Sequence, residues 1–383
     1  MVDSVFCRKV KTVRFLDKLW YFARIHGYFA SQNYNFWQII IVAYVILVPN
    51  FVTIISFEFQ LPFIRDMEQL SENFYMNMSV LTCCSKFLII LKMRPKLISI
   101  NDLFGKLDNV GLTAQQSDKL QKEILNCNRL TTFVTFWYWL VSTTTAFNAS
   151  LSNGKILMFN VWTPYDFQQS PWVYWITLLF QYSCFIIVAT QNMTNDLIGP
   201  LYFIMLRAHL QILIERIQNI GWDPMKTQDE NYEDLVNSIK DHKIIMNIYN
   251  ILQNLISLTI FIQFADTAIV TAMQLLIILF YAVNFSQIIM LMVSSLASII
   301  EILICCYFAD SFTEVTNNLV NAIYSANIFD QSRNFQRTAI IFMQMTQESK
   351  VVLAGKVLPI TLVTFASIMK TSYSLLTLAN HMR

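Results

Sequence analysis

Seven runs of apolar residues, each near the roughly 20-residue length that spans a bilayer, fall at about 36–57, 73–91, 131–150, 173–198, 255–281, 285–308 and 357–379. They predict an all-α, seven-transmembrane-helix protein. From Trp172 to about Arg216 the only break in the pattern is Gly199-Pro200, where a kink is expected. About 45 residues of helix would reach roughly 67 Å at ~1.5 Å per residue, so part of this helix is expected to stand outside the bilayer. Leu206, Leu210, Leu213, Ile217 and Ile220 recur there in alternating steps of four and three, the spacing of a soluble packing stripe. Leu235, Ile239, His242, Met246 and Tyr249 repeat it before the fifth run, and Val315, Leu319, Ile323 and then Phe335, Ala339, Phe342 continue it after the sixth. Four such stripes on one side of a membrane can bury one another as a helical bundle, a plausible place for subunit contact.

Charge sets the orientation. The segment before the first run holds six basic residues, and the following loops on that side hold seven, five and four, whereas the other side has only Arg65, Lys155 and Arg383. The positive-inside rule then places the N-terminus in the cytoplasm and, after seven crossings, the C-terminus outside, with the bundle intracellular. That is opposite to a G-protein-coupled receptor. Composition agrees with a membrane protein: 55% hydrophobic, 14% charged, mean hydropathy +0.46, against about 25% charged in soluble domains. The basic N-terminus lacks the apolar core of a signal peptide, so the first span is expected to serve as targeting signal. The chain divides into a cytoplasmic segment 1–35, helices one to six with their extensions at 36–308, an intracellular assembly segment at 309–356 and a last helix at 357–383.

Chemistry narrows the picture mostly by exclusion. The histidines His26, His209, His242 and His381 are far apart, no H-E-x-x-H or G-x-S-x-G occurs, and seven scattered glycines build no phosphate cradle. Neither an enzyme nor a nucleic-acid-binding role is indicated, and no cofactor or metal is expected. The seven cysteines fall outside the outer loops, so no disulfide framework is expected, and adjacent pairs such as Cys83-Cys84 lack metal-ligand spacing. Five ionisable residues lie in or beside the spans. Lys86 is expected to snorkel to the inner boundary, Asp196 and Glu301 to cap or pair in the bundle, and Asp266 to be satisfied by Gln263 and Thr267. Lys370 sits mid-span near Thr371, Ser372, Ser374 and Thr377, giving the last helix a polar face that suits a wetted pore or a buried helix contact.

Aromatic, sulfur and small polar residues gather in the outer halves of the middle helices. Helix two offers Phe74, Met76, Asn77 and Val80, and helix three Trp139, Ser142, Thr143 and Phe147. Helix four offers Leu178, Gln181, Tyr182 and Phe185, and helix six Phe285, Ile289, Met290 and Met292. Each is ordinary for a lipid-facing or core position. Together, apolar walls with a few hydroxyl and amide groups match a pocket for a small volatile or lipophilic molecule.

Short sequences in a fixed order carry a family resemblance. Asn160-Val-Trp-Thr-Pro-Tyr-Asp166, Ser170-Pro-Trp-Val-Tyr174, Arg207-Ala-His-Leu-Gln-Ile-Leu213 and Ile239-Lys-Asp-His242 are followed by Cys306-Tyr-Phe-Ala-Asp310, Ala322-Ile-Tyr-Ser325 and Lys370-Thr-Ser-Tyr-Ser374. The set resembles the insect odorant receptor family, with Ala309 and Ile328 standing where that family commonly has Gly and Trp. The resemblance implies an odorant-specific subunit of a ligand-gated, non-selective cation channel in the plasma membrane of olfactory sensory neuron dendrites. It further implies an obligate co-receptor partner in a heterotetramer joined through the intracellular bundle. Candidate assembly residues are then His242, Tyr324, Phe335 and Phe342. Candidate pore residues are Lys370, Ser374 and Thr377, with Leu376 and Asn380 matching the family's narrow region. A gustatory-type chemoreceptor channel is the alternative, disfavoured by the Lys370-to-Ser374 motif.

Overall fold

The computed structural model describes residues 10–27, 36–108, 111–151, 156–282 and 284–381. A 3-10 turn, Thr12–Leu16, leads into α1 (Asp17–Ile25). The first span is α2 (Phe36–Leu47) and α3 (Thr53–Gln60), joined by a π-helical turn at Val48–Val52. Pro49 has no N–H and its ring would crowd the carbonyl one turn back, so the helix widens there. The neighbouring Asn50 amide donates to the Ile46 carbonyl at 2.9 Å and to Gln191 at 3.1 Å, fixing the bulge against the fourth span.

Five long helices follow: α4 (Met67–Asp108), α5 (Ala114–Ser150), α6 (Pro171–Gln218), α7 (Gln228–Phe280) and α8 (Phe285–Asn317). Then come α9 (Leu319–Ser325), α10 (Arg333–Thr346), a short antiparallel hairpin of β1 (Leu353–Ala354) and β2 (Leu358–Pro359), and α11 (Leu362–His381). Several starts are legible in sequence. Thr113 with Gln116 and Thr227 with Glu230 form capping boxes, and Ser170 caps α6 with Pro171 in its first turn.

At ~1.5 Å per residue, α6 and α7 run roughly 70–80 Å, far more than the ~30 Å hydrocarbon core. The helix of α6 continues through Gly199-Pro200, both buried. Five described helical stretches are long and apolar enough to cross a membrane by length and composition. The third and seventh runs are helices too, α5 and α11, and threonines and serines dilute the hydropathy of α5.

One contiguous core joins the helices and continues into the extensions expected to be intracellular. The first stripe, Leu206 to Ile220, is wholly buried there, as are Leu235, Leu319, Ile323, Phe335, Ala339 and Phe342. The N-terminal turn packs into the same bundle: the Phe15 ring meets Phe104 and Tyr202 edge-on at 5.9 and 5.3 Å. The Thr12 N–H donates to Asp108 at 2.8 Å, and its hydroxyl bridges Asp108 and His209. Burial pushes His209 down to about 4, and burial with the nearby Lys350 charge pushes His242 to about 4.

This packing changes the assembly reading. His242, Phe335 and Phe342 are buried in the chain's own core, with the His242 and Phe342 rings 5.3 Å apart, so these side chains cannot touch a second subunit directly. Tyr324 remains on the surface, 69% exposed.

Candidate functional site

The outer end of α4 turns one face inward. Glu68, Glu72 and Met76 follow one another at four-residue steps, with Tyr75 and Asn73 beside them and Val80 one turn deeper, so they share a wall. Opposite runs the loop after α5, pinned at several points. Gln181 acts as a strand would: its carbonyl accepts from the Phe159 N–H at 3.4 Å and its amide donates to the Phe159 carbonyl at 3.3 Å. Asn160 donates to Gln69 at 3.0 Å and accepts from Gln60 at 3.1 Å, and the Trp162 N–H donates to the Ser56 carbonyl at 3.1 Å.

Two cavities lie beneath that roof. The larger, about 780 Å³, opens between α4, the end of α5 at Asn148 and Leu151, the loop and the start of α8 at Asn284 to Gln287. The smaller, about 70 Å³, is an apolar slot between the first span, α4 and α6, with Val52, Val80, Phe185 and Val188 among its walls. Phe57, Met76, Phe159 and Val161 border both. The Phe159 ring is edge-on to Phe185 at 4.9 Å and lies 6.2 Å from Phe57, an aromatic partition that a rotamer change could open. Apolar walls with a few placed polar groups suit a small lipophilic ligand. Among the described residues no group of three or more His, Cys, Asp or Glu is placed to hold a metal.

Of the pocket residues expected from sequence, Met76, Val80, Gln181 and Phe185 meet at these cavities. Met290 and Phe285 border the larger one. Asn77 is buried next to them and donates to Glu58 at 2.7 Å. The rest point elsewhere. Trp139, Thr143 and Phe147, at four-residue steps on α5, are exposed on its outward face, and Trp139 donates to Thr190 at 3.3 Å. Ser142 is buried and donates to the Tyr138 carbonyl. Tyr182 is half-buried away from both cavities, and Ile289 and Met292 flank the inward Met290 but are themselves exposed. The first span and the outer loop were missed as walls. The quoted Asn160-Val-Trp motif was the available signal, since its residues now prove to pin the roof.

Lys86 departs further from expectation. It does not snorkel: it is 1% exposed, and its ammonium donates to Asp196 at 2.5 Å and to Gln263, with Glu301 at 3.5 Å. The Tyr138 hydroxyl donates to Asp196 at 3.0 Å. One buried cation thus ties α4 to α6, α7 and α8, with α5 attached through Tyr138. Asp266 is served from α4 by the Thr82 hydroxyl at 3.1 Å, while Gln263 is occupied by Lys86 and Thr267.

On α11, Lys370, Ser374 and Thr377 share one face, the first two exposed and the third half-buried. Leu376 is buried against the chain on a different face, and so does not line the surface that carries Lys370. The Asn380 side chain lies outside the described residues.

A family model described as 7tm Odorant receptor matches residues 66–373. Odorant receptor 33a of Drosophila melanogaster is 27% identical over 381 residues, covering 97% of this chain and 98% of its own. Odorant receptor 33b of the same species is 27% identical over 304 residues, covering 78% and 79%. The solved structure of the insect olfactory receptor OR5 from Machilis hrabei in complex with eugenol superposes with a TM-score of 0.84 at 15% identity, over 98% of this chain and 100% of that one.

Proposed function

Since this chain belongs to the insect odorant receptor family, a family of membrane receptors rather than enzymes, we propose that it is the odorant-sensing subunit of a ligand-gated, non-selective cation channel. A small volatile molecule occupies the two outer cavities, and an obligate co-receptor subunit completes a heterotetrameric pore in the plasma membrane of olfactory sensory neuron dendrites. The observation that carries this reading is the pair of cavities sharing Phe57, Met76, Phe159 and Val161 under a hydrogen-bonded roof. The similar Machilis hrabei receptor was solved with eugenol, a ligand of the size class such cavities accept.

Gating follows as a population shift: a ligand that fits the open arrangement of α4, α6 and the roof better than the closed one stabilises the open state by that difference in affinity. The same helices run on to the Lys86 network and into the bundle, so a tilt at the cavity is transmitted along rigid elements. The segment 309–356 then serves assembly through exposed positions such as Tyr324, and the Lys370, Ser374 and Thr377 face of α11 lines the pore. The test is whole-cell recording of this chain alone and with its partner subunit against a panel of volatiles. Odorant-evoked cation current only in the pair supports the reading; a response that needs G proteins, or no response from a pair present at the surface, refutes it.

A further inference from the structure

The larger outer cavity has an unbalanced wall. Glu68 and Glu72 stand one helical turn apart on it, and among the described residues the side chain that hydrogen-bonds them is the Gln287 amide, at 2.9 and 3.2 Å. No Lys, Arg or His among the described residues forms a salt bridge with either carboxylate. Asn73 supplies a separate observation. It lines the same cavity and is 1% exposed; its amide nitrogen donates to the Phe57 and Asn160 carbonyls, and its Oδ1 has no partner among the described residues.

Beyond the single Gln287 amide, both carboxylates can accept further hydrogen bonds, and the Asn73 Oδ1 accepts none. We propose that this cavity selects ligands with a protonated amine head, held by Glu68, Glu72 and the Asn73 Oδ1, while their alkyl body enters the adjoining apolar slot past Phe57 and Met76. An ammonium offers three donors and no acceptor, and so complements three acceptors, whereas the isosteric alcohol offers a single donor. Charge-assisted hydrogen bonds in a half-buried site add to the discrimination. A calcium ion would require six to eight oxygen ligands, more than this wall presents, and the volume is that of an organic molecule.

The inference rests on the odorant-receptor reading for its biological meaning, but its test does not need a current. Hexylamine and hexan-1-ol are compared as thermal stabilisers of the purified full-length protein, and as agonists or competitors of a neutral odorant in the co-expressed receptor. Half-maximal stabilisation by hexylamine is expected at least tenfold below that of hexan-1-ol, and Glu72→Gln or Glu68→Gln should each remove most of that preference. Both variants should keep the parent's monodisperse chromatographic peak and surface delivery, showing that they fold. Equal stabilisation by amine and alcohol, or a preference surviving the double Gln variant, overturns the proposal. Neutral odorants failing to open a surface-expressed receptor would overturn the receptor reading instead, and the stabilisation result would still decide this one.

Discussion

Replacing Lys86 by Met keeps the volume of the side chain and deletes its charge. Lys86 is 1% exposed, and its ammonium is shared by Asp196 at 2.5 Å and Glu301 at 3.5 Å. Removing one member of a buried ionic cluster strands the others in low dielectric, which costs about 3–5 kcal/mol. Gln263 would also lose its partner for Oε1. At about 2–4 °C per kcal/mol for sizeable chains, the Lys86→Met protein should melt on the order of 6–20 °C lower in detergent, read by loss of the monodisperse chromatographic peak after heating. The companion variant Lys86→Met/Asp196→Asn/Glu301→Gln removes the stranded charges and should recover most of that loss. A single variant within about 2 °C of the parent, or a triple variant no better than the single, would refute the reasoning: water would then be reaching these carboxylates.

The intracellular bundle should weaken in acid. His209 and His242 are both held near 4 in the folded chain against about 6.5 when unfolded, so the unfolded chain binds more protons between those values. Their contribution is full above pH 6.5 and lost as pH falls towards 4, on the order of 3 kcal/mol each; a melting curve flat from pH 7 to 4 would contradict it. Phe335→Ala should cost about 3–5 kcal/mol through an unfilled cavity, seen as reduced surface delivery, with normal delivery the contrary result. Gly355 has a φ of +59°, and a Cβ there would lie 2.8 Å from the Phe261 ring. Gly355→Ala should therefore distort the hairpin that leads into α11, and unaltered channel kinetics would show that α11 does not depend on it.

The sequence was most informative where water bathes the helices. Leu206, Leu210, Leu213 and Ile217 could be read as a buried stripe because Arg207, His209, Gln211, Glu215 and Arg216 stand between them, and the structure buries all four. Within the membrane that contrast disappears. Met290 faces a cavity while Ile289 and Met292 face outward, yet all three are equally apolar and only tertiary packing separates them. The α5 residues Trp139 and Phe147 were expected inward for the same reason, although an aromatic is as comfortable against lipid as against a ligand. Lys86 escaped because its partners stand 110 and 215 positions away, and local spacing carries no sign of such a contact. The Asn160-Val-Trp segment lay between these extremes: it was recognised as a loop motif, but its hydrogen bonds to Gln69, Gln60 and Ser56 follow only from the fold.

The claim that odorant occupies the cavities bordered by Met76 is tested most directly by substituted-cysteine protection. In the co-expressed receptor, Met76→Cys is treated with a small methanethiosulfonate reagent, with and without odorant, and the rate of current loss is compared with that of Ile289→Cys. The account predicts modification that abolishes the response at position 76 and is slowed at least several-fold by odorant, with no protection at 289. Protection at 289 with none at 76 would place the ligand on the other side of α8 and contradict it.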